Sequence, residues 1–228
     1  MTLAVFSDIH GNVFSLEKAL KIMEELKPDK YLFLGDMAGY YYYQNESIKL
    51  LNSLDNLVSI KGNHDENFIN SKHNPKLLGE LDAKYGKSYS FLLNSITEES
   101  QDFFDNLLDY EKNNCYEAYH GSPNHYRDEY IYPDTKISFD SKVPFIFLGH
   151  THYSMIKMVN DTTIVNPGSI GQSRDCNKGS FSIIDLKYKK VENIRYDYDK
   201  TQIEKDIIFH KDKKYLSDVL RRAKNDKN

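Results

Sequence analysis

Cysteine is scarce in this sequence: only Cys115 and Cys176 occur, in neither a C-x-x-C pair nor a zinc-type spacing. That scarcity points to a reduced, cytosolic setting. Long apolar runs are also lacking, and no stretch approaches the ~20 residues that a membrane helix needs. The opening segment MTLAVFSDIHGN carries no basic region and only about four apolar residues before an acid, so it is not expected to be a signal peptide. Nor is there an excess of one charge. A net charge of −4 argues against a dedicated nucleic-acid or membrane-surface binder. Internal repeats, low-complexity linkers and a second domain boundary are missing too, so the 228 residues are expected to fold as one domain. What remains, at 39% hydrophobic and 28% charged residues, is the composition of a soluble globular chain.

Short apolar runs recur, and several end in polar, glycine-containing turns: LAVFSDIHG, KYLFLGDMAG, LVSIKGNHD, YEAYHGSP, PFIFLGHTH and TIVNPGS. Runs of this length, rich in Val, Ile, Phe, Tyr and Leu, suit buried strands. Between the first two lies FSLEKALKIMEELKPD, with Phe14, Leu16, Leu20, Met23 and Leu26 at roughly helical spacing and Pro28 as a stop. This β-α-β unit predicts an α/β domain. Residues 66–112 read as a helical insertion. Its clearest helix lies in SITEESQDFFDNLL, capped by Thr97, with Phe103, Phe104, Leu107 and Leu108 turned inward. From residue 155, MIKMV, TTIVN, FSIIDL and VENIRYDY read as successive antiparallel strands, and a Lys-rich helical tail covers about 201–228.

Ligands of open α/β sheets bind outside the carboxyl ends of strands, and here those ends are heavily loaded. Asp8 and His10 follow the first run and Asp36 the second. Asn63, His64 and Asp65 follow the third, His120 the fourth, and His150 and His152 the fifth. The other histidines, His73, His125 and His210, are not placed at this edge. Each motif alone has an ordinary reading as a turn or a helix cap. The five in this order, each at a strand end, are not accounted for in that way. Two carboxylates, one amide oxygen and four imidazoles suit borderline-hard divalent metals such as Mn²⁺, Fe²⁺ or Zn²⁺. They over-supply one ion but serve two that share a carboxylate, the arrangement that activates hydroxide and clamps an in-line phosphoryl displacement.

The ordered set D-x-H, G-D, G-N-H-D, H-G and G-H-T-H, over residues 5 to about 175, resembles the calcineurin-like metallophosphoesterase superfamily. NPGSIGQSRD at 166–175 is similar to its prokaryotic, small phosphodiesterase-like branch. The resemblance implies a four-layer α/β/β/α sandwich of two mixed sheets, with the late antiparallel strands building the second sheet. It implies that Asp8, His10 and His152 hold one metal, that Asn63, His120 and His150 hold the other, and that Asp36 bridges them. His64 would then be no ligand but an imidazolium that protonates the leaving oxygen while a metal-bridging hydroxide attacks phosphorus. Two divalent ions are implied, Mn²⁺ first, with iron, zinc, nickel or cobalt as alternatives. The expected substrate is a small, nucleotide-like phosphorylated molecule, a phosphodiester or phosphoanhydride. A dinucleoside polyphosphate hydrolase is the alternative enzyme, and a catalytically silent metal-bound scaffold the alternative class. Neither a membrane nor a stable nucleic-acid complex is expected, and a homo-oligomer is compatible with the sequence.

The protein Ser/Thr phosphatases of that superfamily carry G-D-x-x-D-R-G, whereas this sequence has GDMAGYYYY. Both the Asp that would orient the catalytic His and a phosphate-gripping Arg are therefore missing, which argues against a phosphoprotein substrate and leaves the orienter of His64 open. Asp65 is adjacent but is read first as a cap of the following helix. Tyr41, Tyr42 and Tyr43, after Tyr40, are candidates to stack a nucleobase, with loop packing or an oligomer contact as the alternative. Arg174 is a candidate phosphate clamp, unless it pairs with Asp175 or another acid. Asn166 and Ser169 are read as shaping a turn beside the metals.

Overall fold

Leu3 and Val5 of the first strand alternate with Ala4 and Phe6, and all four are buried. A strand hidden on both faces needs a packed layer on each side. The computed structural model describes residues 1–139 and 141–222. The chain runs β1 (Thr2–Phe6), α1 (Val13–Leu26), β2 (Lys30–Phe33), α2 (Gln44–Asn52) and β3 (Leu57–Ser59). Four helices follow: α3 (Asn63–Ser71), α4 (Pro75–Tyr85), α5 (Ser88–Ser95) and α6 (Glu98–Asp105), in the segment expected to be helical. Then come β4 (Glu111–Lys112), β5 (Tyr116–Ala118), β6 (Phe145–Phe147), β7 (Ser154–Val159), β8 (Thr162–Pro167), β9 (Gly179–Asp185) and β10 (Lys190–Tyr196), and finally α7 (Thr201–Phe209) and α8 (Lys214–Leu220). The last part of the expected tail, 223–228, lies outside the described residues. Among the described residues no helix is long and apolar enough to cross a membrane.

Two mixed five-stranded sheets, ordered β10-β9-β1-β2-β3 and β4-β5-β6-β8-β7, pack face to face, as expected for this α/β sandwich. Leu3, Val5, Leu32, Leu34 and Ile184 of the first sheet meet Tyr116, Ala118, Phe145, Phe147 and Val165 of the second. On the other side of the first sheet, Ala4, Phe6 and Phe33 pack against Leu16, Ala19 and Met23 of α1. That helix begins at Asn12, whose side chain accepts from Ser15 N at 3.2 Å. The outer face of the second sheet (Tyr119, Ile146, Leu148, Ile164) is covered by Ile131, Tyr126 and Ile137 from a non-helical segment. Pro123 and Pro133 interrupt helix formation there.

Two expectations need correction. The late strands do not all join the second sheet. The β7–β8 hairpin does, but β9 pairs antiparallel with β1, and β10 with β9. Phe181 and Ile184 of β9 fall in the cores on opposite faces of that sheet, so β9 belongs beside β1 rather than at an edge. Leu108 is exposed, because α6 ends at Asp105 and the Leu108 backbone instead bonds to Ser59 and Lys61. Leu26, in the last turn of α1, is also exposed; the helix buries Val13, Leu16, Ala19 and Met23.

Phe147 is fully enclosed in the core between the two sheets. Phe147→Ala is expected to lower unfolding free energy by about 3–5 kcal/mol, measured as a shift of the urea midpoint at constant slope. A loss below about 1 kcal/mol would contradict this packing.

Candidate dinuclear metal centre

The backbone is bent to deliver the site. Asp8, His10, Asp36, His150 and His152 all have positive φ, at 58°, 52°, 65°, 65° and 60°. Left-handed residues other than glycine cost of order 1–3 kcal/mol each and persist only where surrounding contacts dictate them. Those contacts are present. Asp8 N donates to Gly35 O at 2.9 Å and His10 N to Asp36 O at 3.0 Å. The Asp65 carboxylate accepts from Asp36 N, Met37 N, Ala38 N and Gly62 N at 2.8–3.0 Å, tying the Asp36 loop to the start of α3. Asp65 thus caps its own helix and anchors the loop, and it does not orient His64. Ser169 Oγ donates to Asp8 O, and Asn166 Nδ2 to Gly149 O, so both hold backbone beside the site, as read from the sequence.

The seven predicted ligands converge. Asp8, His10, Asp36 and His152 bring ligand atoms within 4.8 Å of one another, and Asp36, His120 and His150 form a second such group. Asp36 belongs to both. Asn63 Oδ1 lies 3.1 Å from His120 Nε2, on the side of the second group. Three imidazoles are oriented alike: Nδ1 donates to the carbonyl of Ala38 from His10 (2.8 Å), of Leu34 from His120 (2.7 Å) and of Gln172 from His152 (2.6 Å). A ring that spends its Nδ1 proton this way presents the Nε2 lone pair to the centre, as metal-binding histidines do.

Those lone pairs face other acceptors. His152 Nε2 is 3.3 Å from both His10 Nε2 and Asp8 Oδ1. His120 Nε2 is 3.3 Å from Asp36 Oδ2. Both Asp8 oxygens, Asp36 Oδ2 and His150 Nε2 are buried without a hydrogen-bond partner. Acceptors that crowd together without donors are costly unless a cation stands among them, so the residues fit two divalent ions that share Asp36. Ionisation agrees with this. Burial opposes charge on Asp8, but His152 and His120 outweigh it and hold the carboxyl at about 2. Burial likewise opposes charge on His120, but Asp36 raises that ring to about 9, a proton that metal must displace. Burial pushes His10 down to about 4 and His150 to about 3, leaving both as neutral ligands.

His64 sits at the centre without joining either group. Its backbone N–H donates to Asp36 Oδ1 at 2.8 Å, and its ring lies 4.9 Å from that of His10. Burial, only partly offset by Asp36, pushes the ring well below its ordinary range. Its Nδ1 meets the hydroxyl of Tyr89 at 2.6 Å, a partner that sequence reasoning missed. The signal available was one aromatic among Tyr85, Tyr89 and Phe91 in the segment read as helical, which reads equally well as core.

The tyrosine run does not form an open stacking platform. Tyr41, Tyr42 and Tyr43 are covered by the C-terminal helices. Their hydroxyls donate to Leu216 O (3.3 Å), Asp212 Oδ2 (2.8 Å) and Asp206 Oδ2 (2.5 Å). Only Tyr40 of the four reaches the cavity of about 200 Å³ over the centre, which Asp36, His64, His150 and His152 also line. Tyr85, Tyr130 and Tyr215 complete its wall with Lys84 and Arg174. Asp175 pairs with Arg195 rather than with Arg174. Among the described residues Arg174 has no carboxylate partner, its Nε is buried and unbonded, and its nearest polar contact is Tyr40 Oη at 3.5 Å. A larger groove of about 850 Å³ along Leu57 and Phe103 contains none of the ligand residues.

Residues 1–189 match the family model of the calcineurin-like phosphoesterase superfamily domain. The chain belongs to this superfamily. An uncharacterized protein of Methanocaldococcus jannaschii, MJ0912, is 29% identical over 96% of both chains. The crystal structure of the hypothetical protein PH1004 from Pyrococcus horikoshii is 26% identical and superimposes with a TM-score of 0.84 over 97% of this chain and 98% of that one. A metallophosphoesterase from Sphaerobacter thermophilus, 24% identical, shares the fold with a TM-score of 0.78 over 96% and 98% of the two chains. As a calcineurin-like phosphoesterase, the protein comes from a superfamily of metal-using phosphoester hydrolases, and its buried Asp/His cluster suits such ions.

Because Asp36 is common to both ligand groups, Asp36→Ala is expected to reduce metal content from two ions per chain to one or none. Elemental analysis of protein reconstituted with Mn²⁺ reads this directly. The rise in melting temperature on adding Mn²⁺ should shrink in parallel. Retention of two ions by the variant would rule out the bridging position.

Proposed function

We propose that this protein is a dinuclear-metal-dependent phosphoesterase acting on phosphodiesters or nucleotide phosphoanhydrides. The observation that carries this reading is the pair of buried ligand groups sharing Asp36 beneath His64, whose Nε2 is left free. Asp8, His10 and His152 would hold one ion, Asn63, His120 and His150 the other, and Asp36 both. The donor set mixes carboxylate, amide oxygen and imidazole without thiolate, which favours Mn²⁺ and admits iron, zinc, nickel or cobalt. Bound there, the ions supply Lewis acidity, neutralising phosphate charge and lowering the pKa of a water so that hydroxide exists near neutral pH.

The chain's own residues supply the rest. Arg174, with its unbonded buried Nε, offers a guanidinium to phosphoryl oxygens. His64 takes up a proton when an anionic phosphoryl group enters the cavity, since that charge opposes the desolvation that otherwise keeps the ring neutral. As the bond from phosphorus to the leaving oxygen breaks, the Nε2 proton passes to that oxygen, and the ring is reprotonated from solvent. Phosphoproteins fit poorly, because GDMAGYYYY lacks the Asp and Arg of the protein phosphatases. A dinucleoside polyphosphate is the second reading, favoured by Lys84 and Arg174 as cations and by Tyr85 and Tyr130 as aromatic surface around one cavity. Both cysteines are free, as suits a cytoplasmic enzyme.

Mn²⁺-reconstituted protein is expected to hydrolyse bis-p-nitrophenyl phosphate or diadenosine tetraphosphate faster than p-nitrophenyl phosphate. His64→Ala should keep both ions and lose about 10²–10⁴ in kcat on alkyl diesters, with a much smaller loss on p-nitrophenyl esters. Arg174→Ala should act mainly on KM. Unchanged alkyl diester turnover in His64→Ala would remove the general-acid role. Complete inactivity with two ions bound would favour a silent scaffold.

A further inference from the structure

His10, His120 and His152 each spend Nδ1 on a backbone carbonyl. His64 is the one imidazole at the centre whose orienting group is neither a backbone carbonyl nor a carboxylate. In a site whose turnover depends on aiming one N–H at one oxygen, that group matters. Misplacement of a reacting group by about 1 Å costs roughly 10²-fold.

The group is the phenol of Tyr89, the second residue of α5, delivered from the helical segment between β3 and β4. Tyr89 is completely buried and packs in the core beneath the first sheet, so its ring is fixed by packing rather than by its hydroxyl. Its Oη lies 2.6 Å from His64 Nδ1, and the two rings are nearly parallel at 19°. Tyr85 and Tyr40 flank the same imidazole with centroids at 4.6 and 5.2 Å. With Nδ1 engaged, Nε2 is the free ring nitrogen of a residue that lines the cavity.

A second feature is built around the same contact. Gly39 has φ +85°, and a Cβ placed there would come within 2.6 Å of His64 Nδ1 and 3.2 Å of Tyr89 Oη. The GDMAG loop therefore closes over the hydrogen bond so tightly that no side-chain carbon fits at Gly39. Three separated pieces of chain, the Asp36 loop, the start of α3 and α5, are shaped to this one contact.

We propose that Tyr89 is the positioning residue of His64: its hydroxyl holds Nδ1 so that the Nε2 proton faces the leaving oxygen. A hydroxyl suits this task in either state of the ring. It accepts from Nδ1–H while the ring is charged and after Nε2 has given up its proton, and it donates to a bare Nδ1 when Nε2 carries the proton. Unlike a carboxylate, it does so without adding negative charge beside Asp36. The missing Asp of the G-D-x-x-D-R-G pattern is thus replaced in role by a neutral group from a different part of the chain. The inference rests on the general-acid reading of His64.

The test compares wild type, Tyr89→Phe, His64→Ala and the double variant, each reconstituted with Mn²⁺, on a dialkyl phosphodiester and on bis-p-nitrophenyl phosphate. Tyr89→Phe keeps the buried ring and removes only the hydroxyl. It should retain two ions and an unchanged KM, and lose about tenfold to hundredfold in kcat on the alkyl ester, part of the range general-acid catalysis supplies. On the aryl ester, whose leaving group needs no proton, the loss should be under about threefold. The double variant should be no slower than His64→Ala. Independently of activity, the ¹⁵N shift of His64 Nδ1 in wild type should mark a hydrogen-bonded nitrogen and should move in Tyr89→Phe. Gly39→Ala should reproduce both effects.

Equal losses on both esters, additive effects in the double variant, or an unmoved ¹⁵N shift would overturn the positioning role while leaving His64 as the acid. Full alkyl-ester turnover in His64→Ala would overturn the general-acid reading, and the role proposed for Tyr89 with it.

Discussion

Two carboxylates, Asp8 and Asp36, lie buried among four imidazoles with their free oxygens and nitrogens turned toward each other, and the rest of the structure answers to that crowding. A folded chain does not ordinarily gather acceptors in this way, since each unpaired one costs roughly 1–3 kcal/mol. Hydrogen bonds from Nδ1 to the Ala38, Leu34 and Gln172 carbonyls turn Nε2 of His10, His120 and His152 toward the centre. The cluster is therefore prepared for cations, and protons on His120 fill only part of that role.

Holding the cluster requires backbone that its residues would not choose. Five candidate ligands in left-handed conformation represent stored strain of several kcal/mol in aggregate. It is balanced by short links between strand ends: Asp65 gathering four amides, Ser169 and Asn166 pinning carbonyls beside Asp8 and Gly149, and the two sheets packed behind them. The ligands thus sit where rigid strands end, so that their spacing is set by the sheets and not by loop flexibility.

The residues that gather at the candidate centre were legible in the sequence because each lies within a few residues of an apolar run, and the type of residue is itself the signal. What depended on long-range contact was not legible. Tyr41–Tyr43 look like an open aromatic strip until Asp206, Asp212 and Leu216 close over them from more than 160 residues away. β9 looks like one more late antiparallel strand, and only its pairing with β1 places it in the first sheet. Tyr89 is separated from His64 by 25 residues and by a helix, and no local pattern marks it. How burial acts on the His64 ring is likewise not written in the sequence, because desolvation is a property of the folded surroundings.

The central claim is that the two ligand groups bind two ions bridged by Asp36. Anomalous diffraction from crystals grown with Mn²⁺, collected across the manganese edge, tests it most directly. The account predicts two peaks about 3.5–4 Å apart, with Asp36 between them and His64 bound to neither. A single peak, or His64 coordinating one, would contradict it.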